Sequence, residues 1–411
     1  MLSHDQRREL TAVAEGHRNL GGAFFTSEAL FEEERRAIFA GGWMCVGTTD
    51  DAGAPSSIYP VKAAGEDLLL VRDRQGVLRA FFNHCSHRGA ILAEQPRRNC
   101  ATIVCPYHSW TYNLAGDLRR MPHVGGPGVH ESEELDPARL GLREIPLRDW
   151  AGLVFVNMSG TAERFDDFIA PVVERLRGYD LSQLRLSGEA GTVVEANWKV
   201  VVENFVESYH LPWVHPSMNR YNPMEDHYQI LGGDTYVGQG LLGLEFEDAA
   251  ANLLPRFPNL TPEQLTTGES HFVFPNLLFG VMIEMGYAVI MLPEAPGRTR
   301  ERVVVMVNGE EAATEPRFKE ARDILLERIV SVNAEDIGIT ESVHRGRSSP
   351  AFTGGQFSPV HEHTSRQFQR AYALRMLRAD GHPVPDVALA VREVHLPTRD
   401  KVAVEAVSAA R

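Results

Sequence analysis

Two short segments place a cysteine just ahead of a histidine: Cys85-Ser86-His87 and Cys105-Pro106-Tyr107-His108. Read together they form C-x-H…C-x-x-H, which demands a fold that brings two tight loops to one point. The chain has only 4 cysteines in 411 residues, far too few for a disulfide-built scaffold. Paired soft and borderline donors on two loops therefore point to a metal. A single such pair could be chance, since histidine is often an ordinary satisfied polar residue; two matched pairs in one segment argue against it. Cys45 and Cys100 have no histidine at ligand spacing and are expected to be small buried apolar residues or inert thiols.

Length and patterning set the frame around those loops. At about 150 residues per domain the chain holds two or three domains, and 43% hydrophobic with 23% charged residues is enough apolar surface for packed cores. Residues 1–42 read as a helical lead-in, with Leu30, Phe31 and Ile38 spaced for an amphipathic helix that Gly41-Gly42 stops. Residues 43–160 contain short apolar runs such as Leu68-Leu69-Leu70-Val71 and Leu153-Val154-Phe155-Val156 between turn residues, which predicts an all-β domain. A connector spans 161–185, a mixed domain 186–380, and a loosely held tail 381–411. The fold class expected is α+β.

Charge excludes several partners. Acidic residues outnumber basic ones by 55 to 41, giving a formal charge of −14 that opposes nucleic acid and anionic membrane surfaces. No run reaches the roughly 18 apolar residues of a spanning helix; the best, Asn276 to Leu292, is interrupted by Glu284. The charged N-terminus lacks a secretory pattern, so a cytoplasmic address is expected.

Zinc is the competing metal for the first pair of loops, but zinc fingers usually group Cys with Cys and His with His. The segments Cys85-Ser86-His87-Arg88-Gly89-Ala90 and Cys105-Pro106-Tyr107-His108-Ser109-Trp110 resemble the Rieske 2Fe–2S motif. That resemblance implies that Cys85 and Cys105 hold one iron, and His87 and His108 the other. Replacing two anionic thiolates by neutral imidazoles raises the cluster's potential and suits it to passing single electrons.

A second motif lies at Asn197-Trp198-Lys199 through His215. Glu203, Glu207 and His210 fall at i, i+4 and i+7, one face of a continuous helix. His215 lies five residues past His210, and Pro212 permits the kink that would bring the imidazoles together. Alone, H-x-x-x-x-H is a weak signal and equally fits two unrelated histidines on a solvated face. The whole segment, however, resembles the mononuclear-iron motif of Rieske non-haem iron oxygenases, N-W-K-x-x-x-E-N-x-x-(D/E)-x-Y-H-x-x-x-x-H, at each specified position.

The family resemblance implies an N-terminal all-β Rieske domain and a C-terminal antiparallel-sheet helix-grip catalytic domain. It also implies a late carboxylate completing a 2-His-1-carboxylate face with positions open to dioxygen. Asp336 is the candidate and Glu335 its neighbouring rival; adjacent helix residues point about 100° apart, so one of them can aim at the iron. Glu207 would bridge His210 to His108 of an adjoining subunit in a homotrimer. Electrons would come from a separate NAD(P)H-dependent reductase, of which flavin- and 2Fe–2S-containing proteins are one kind; a convincing G-x-G-x-x-G turn is absent from this chain.

Glutamate at 207, where many aromatic-ring dioxygenases carry Asp, resembles carnitine monooxygenase and related betaine-metabolising members. The expected reaction is thus hydroxylation of a small quaternary ammonium or N-methyl compound; aromatic faces such as Trp213, Tyr221 or Phe274 are candidates to hold its cation, although ordinary core packing is the commoner role for each of them. Ring dihydroxylation is the enzymatic alternative, and a bare Rieske electron carrier the non-enzymatic one.

Overall fold

The computed structural model describes residues 1–243 and 253–396. The chain forms two compact units, Phe39–Glu163 and a larger one made of Met1–Ile38 with Arg164–Arg411.

The smaller unit is built of short antiparallel strands. One sheet orders Ser57–Ala63, Glu66–Arg72, Leu78–Phe82 and Glu144–Ile145; two three-stranded sheets complete it, one of them Ile103–Val104, Thr111–Tyr112 and Leu118–Arg120. Leu68 to Val71 are all buried, so this strand is covered on both faces and shows no polar alternation. Its core joins Leu69, Val71 and Phe81 to Trp110, Tyr112, Cys85 and Cys105, which seats the two cysteine loops directly on packed apolar side chains.

In the larger unit an eight-stranded sheet, antiparallel throughout, runs in the order Leu184–Val194, Arg298–Asn308, Met285–Ala295, Leu277–Val281, Gly268–Val273, Tyr236–Leu241, His227–Gly232 and Val391–His395. The 29-residue helix Lys319–Arg347 packs Ala321 and Leu325 against Met285, Tyr287, Val305 and Val307 of that sheet. The helix His363–Ala379 is buried along most of its length. Among the described residues no helix is long and apolar enough to cross a membrane.

Several sequence expectations need correction. The lead-in 1–42 is not a separate piece: residues 1–38 belong to the larger unit, where Glu34 takes hydrogen bonds from Trp198 (2.8 Å) and Lys199 (2.6 Å). The connector 161–185 holds the helix that its periodicity predicts, Phe165–Arg175, but the first sheet strand already starts at Leu184, ahead of the boundary expected at 186. The tail 381–411 is not loose where it is described, since Val391–His395 is the edge strand beside His227–Gly232; residues 397–411 lie outside the described residues. A short strand after a long irregular stretch gives too little periodicity to see.

Two candidate metal centres

The loops bearing Cys85 and Cys105 repeat one backbone design. In each, the cysteine N–H donates to a carbonyl five residues on (Ala90, 2.8 Å; Trp110, 2.8 Å), and its own carbonyl accepts from the residue four on (Gly89, 2.9 Å; Ser109, 3.1 Å). Closing the turn needs left-handed backbone at that fourth residue, with φ of 72° at Gly89 and 56° at Ser109. Both thiols are thereby buried and unpaired in any disulfide, whereas His87 is exposed and His108 half-buried.

The two imidazole centroids stand 4.7 Å apart, and His87 stacks on buried Trp110 at 4.6 Å. Sulfur donors inside and nitrogen donors outside is the asymmetry a Rieske cluster requires, so these four residues fit it. The Tyr112 hydroxyl lies 3.1 Å from Cys85 Sγ and is held by the N–H (3.1 Å) and Oγ (2.9 Å) of Ser86. Burial pushes the bare Cys85 thiol up, and the Tyr112 hydrogen bond works against that. Sequence reasoning passed over Tyr112, which lies seven residues past Cys105 with no motif spacing to betray it.

The second centre begins at Asn197. Its side chain caps the helix Trp198–Phe205 by accepting from Lys199 N at 3.0 Å, while its amide donates to Phe25 O and Pro296 O. This helix stops at Phe205, so the expected continuous face through Glu203, Glu207 and His210 does not exist. Gln239 Nε2 takes the Phe205 carbonyl (2.9 Å) and Thr364 Oγ1 the Val206 carbonyl (2.7 Å), satisfying the orphaned helix end. Glu203 turns away to Arg347 (2.6 Å) and Gln369 (2.7 Å).

Glu207 instead organises the next turn. One carboxylate oxygen accepts from the backbone N–H groups of Tyr209 and His210 (3.2 Å for His210), and the other lies 2.6 Å from His210 Nδ1. His215 is gripped in the same manner by Glu335 Oε2, 2.6 Å from its Nδ1. With both Nδ1 atoms engaged, both Nε2 atoms face Asp336 Oδ1, at 3.6 Å for His210 and 3.0 Å for His215.

All three donor groups lie within 4.8 Å of one another. Ligands about 2.1 Å from a metal in adjacent octahedral positions are about 3 Å apart, so the spacing fits a single ion. Burial opposes a charge on His215, but the Asp336 and Glu335 carboxylates outweigh it and hold the imidazole above its ordinary value. A cation would replace that proton.

Glu335 and Asp336 thus divide the work that the sequence left between them. Asp336 also accepts from Asn204 Nδ2 at 3.1 Å, a role for the motif asparagine that spacing could not assign. A cavity of about 570 Å³ opens on the three donors, lined also by Tyr221, Tyr287, Asn333 and Arg328. Of the three aromatic candidates only Tyr221 lines it. Phe274 is buried between Phe272 and Phe368, and Trp213 is 70% exposed.

Residues 42–134 match the Rieske 2Fe–2S domain family, and residues 174–378 the catalytic domain of ring-hydroxylating alpha subunits. The chain belongs to the Rieske oxygenase alpha subunits. It is an oxidoreductase whose cofactors are a Rieske cluster and a mononuclear iron, with dioxygen as co-substrate and a separate reductase as electron source. The cluster supplies single electrons, and the mononuclear iron supplies the open coordination at which dioxygen is reduced.

Among curated relatives of this oxygenase is the carnitine monooxygenase oxygenase subunit of Acinetobacter pittii, 27% identical over 364 residues, covering 85% of this chain and 92% of that one. The glycine betaine monooxygenase oxygenase subunit of Chromohalobacter salexigens is 32% identical over 216 residues, 53% of this chain and 47% of its own. A solved quaternary ammonium Rieske monooxygenase superposes with a TM-score of 0.74 at 25% identity, covering 89% of this chain and 97% of that one. Naphthalene 1,2-dioxygenase from Rhodococcus sp. reaches the same TM-score at 21% identity over 92% and 99% of the two chains, which shows the fold alone.

Proposed function

We propose that this oxygenase hydroxylates a carbon bonded to the nitrogen of a small quaternary ammonium compound. The likeness over most of both chains to a carnitine monooxygenase subunit carries this reading, supported by the cavity beside His210, His215 and Asp336 with the tyrosine faces of Tyr221 and Tyr287 in its wall. One oxygen atom of O2 enters a C–H bond and the other leaves as water, consuming two electrons and two protons. The resulting carbinol next to nitrogen breaks its C–N bond to give an aldehyde and an amine.

In this reading Cys85, Cys105, His87 and His108 hold the cluster, and His210, His215 and Asp336 hold the iron. Glu207 carries electrons between His210 and His108 of the neighbouring subunit in a homotrimer; the solved quaternary ammonium relative is described with inter-subunit electron transfer. The reductase draws on NAD(P)H, and the enzyme works in the cytoplasm.

The test is a substrate panel with reductase, scored for coupled O2 consumption and product. An aldehyde and a tertiary amine in equal amounts are expected from a trimethylammonium substrate. A cis-diol from an aromatic hydrocarbon, with no turnover of any ammonium compound, would replace this reading by ring dihydroxylation.

A further inference from the structure

Several polar groups of the cavity wall are spent on the protein itself. Asn204 Nδ2 donates to Asp336 Oδ1 (3.1 Å), Gln239 Nε2 to the Phe205 carbonyl (2.9 Å), and the Ser270 and Tyr287 hydroxyls lie 2.7 Å apart. His227 is different. It opens the strand His227–Gly232, where it stands opposite Leu241, and Leu241 stands opposite Gly268 on the next strand. All three line the cavity, and the last has no side chain to narrow it there.

The tautomer of His227 is set by the turn before it. Nδ1 lies 3.1 Å from the Pro223 carbonyl oxygen, which can only accept, so the ring proton sits on Nδ1. The same carbonyl takes the Asp226 N–H at 3.0 Å, which fixes it in the turn. Burial holds the imidazole below its ordinary pKa, against the pull of the Pro223 carbonyl and Asp226. The neutral ring therefore presents a lone pair at Nε2. No described residue donates to that atom, and it is not sealed off either, in contrast to the buried, unpartnered Nδ1 atoms of His271, His344 and His361. An open acceptor in a partly dry wall favours a ligand that brings an O–H or N–H to it.

We propose that His227 is a specificity-determining residue of this oxygenase: its Nε2 accepts a hydrogen bond from an O–H or N–H of the substrate in the cavity that holds His210, His215 and Asp336. The enzyme favours substrates that carry such a donor over fluoro or alkyl counterparts of equal size. This rests on the quaternary ammonium reading for the choice of probe molecules alone.

The probes are trimethylammonium compounds with two, three or four carbons between nitrogen and a terminal hydroxyl or fluorine, which match in size while only the hydroxyl donates. A dimethylammonium head on the fluoro chain supplies N–H in place of O–H, and a neutral tert-butyl head on either chain removes the cation. Each is titrated calorimetrically into the full-length holoenzyme under anaerobic conditions, and KM and kcat are then measured with reductase. With wild-type protein, hydroxyl over fluorine is expected to tighten binding about three- to tenfold at the chain length that reaches Nε2, the range of one neutral hydrogen bond. His227→Asn keeps a donor for Pro223 and removes the acceptor; it should bring the ratio near one by raising KM for the hydroxyl compound alone, with kcat held. His227→Gln places an amide oxygen near the Nε2 position and should retain part of the preference. Unchanged binding of the fluoro compound shows that a variant is folded.

A preference for the dimethylammonium probe that disappears in His227→Asn would place the donor on the substrate's head and keep His227 in its role. Equal binding of hydroxyl, fluoro and dimethylammonium probes by wild-type protein at every length would overturn the proposal, whatever the stability of the variants. So would a donor preference that survives in His227→Asn. A hydroxyl preference that stands while the tert-butyl head performs as well as the ammonium would sink the ammonium reading and leave the role of His227 intact.

Discussion

The Cys85 and Cys105 loops of the smaller unit repeat one hydrogen-bonded turn twice, with both sulfurs buried on a packed core. In the larger unit the donors come from a broken helix and from Asp336, 121 residues beyond His215 on a second helix. Their geometry is set by carboxylates: Glu207 and Glu335 each take an Nδ1, and so aim both Nε2 atoms at Asp336. A site that stores an electron benefits from a rigid, enclosing grip that leaves its ligands fixed on reduction. A site that admits a gas and a substrate needs donors on one side only, and the side left open is where the cavity lies. Rigidity comes from backbone in the first case and from side chains beyond the ligands in the second.

That contrast can be broken most severely by removing a ligand from either side. His215→Ala is expected to reduce turnover to background and lose the mononuclear iron while the visible spectrum of the cluster persists; Cys105→Ala should lose the cluster spectrum and keep the mononuclear iron, with turnover again at background. Metal content and absorption spectra check both. Loss of both centres in either variant would mean that the two units are not independent grips.

Glu207→Gln should keep both metals but slow reoxidation of the reduced cluster by the mononuclear site about ten- to a hundredfold, read in a single-turnover stopped-flow experiment. Unchanged transfer would remove Glu207 from the path. Glu335→Gln acts only on orientation: about tenfold weaker iron binding in a chelator competition is expected, with the cluster untouched. The smallest effect belongs to the closed site. Tyr112→Phe deletes the hydroxyl 3.1 Å from Cys85 Sγ and should lower the cluster's potential in a redox titration while changing turnover less than tenfold. An unaltered potential would show that this hydroxyl does not reach the reduced cluster's sulfur in solution.

The same contrast governs what could be read from the sequence. The cysteine and histidine pairs are visible because each loop closes within a few residues, so spacing is geometry. The all-β and mixed character of the two halves was equally legible, from short apolar runs in one and longer helical periods in the other. His210 and His215 stood out through the motif around them, but the local helix did not extend through them, because the residues that end it, Gln239 and Thr364, are remote in sequence. Asp336 was nameable, yet its division of labour with Glu335 depends on where a 29-residue helix is laid against His215. Phe274 went to the core, the commoner fate of an aromatic side chain: it follows the strand Gly268–Val273 and packs between Phe272 and Phe368. Tertiary placement also made 1–38 part of the larger unit, through Glu34, which nothing in its own helix distinguishes from its acidic neighbours.

An open coordination position at His210, His215 and Asp336, alongside a closed cluster elsewhere in the chain, is tested most directly by nitric oxide. Fully metallated protein, reduced under anaerobic conditions, is titrated with the gas and followed by electron paramagnetic resonance. Expected is a high-spin ferrous nitrosyl signal that grows with the mononuclear iron content, is perturbed by a trimethylammonium substrate, and is missing in His215→Ala, while the reduced-cluster signal stays unchanged. Iron bound in addition to the cluster that gives no nitrosyl signal, or a nitrosyl that survives in His215→Ala, would contradict it.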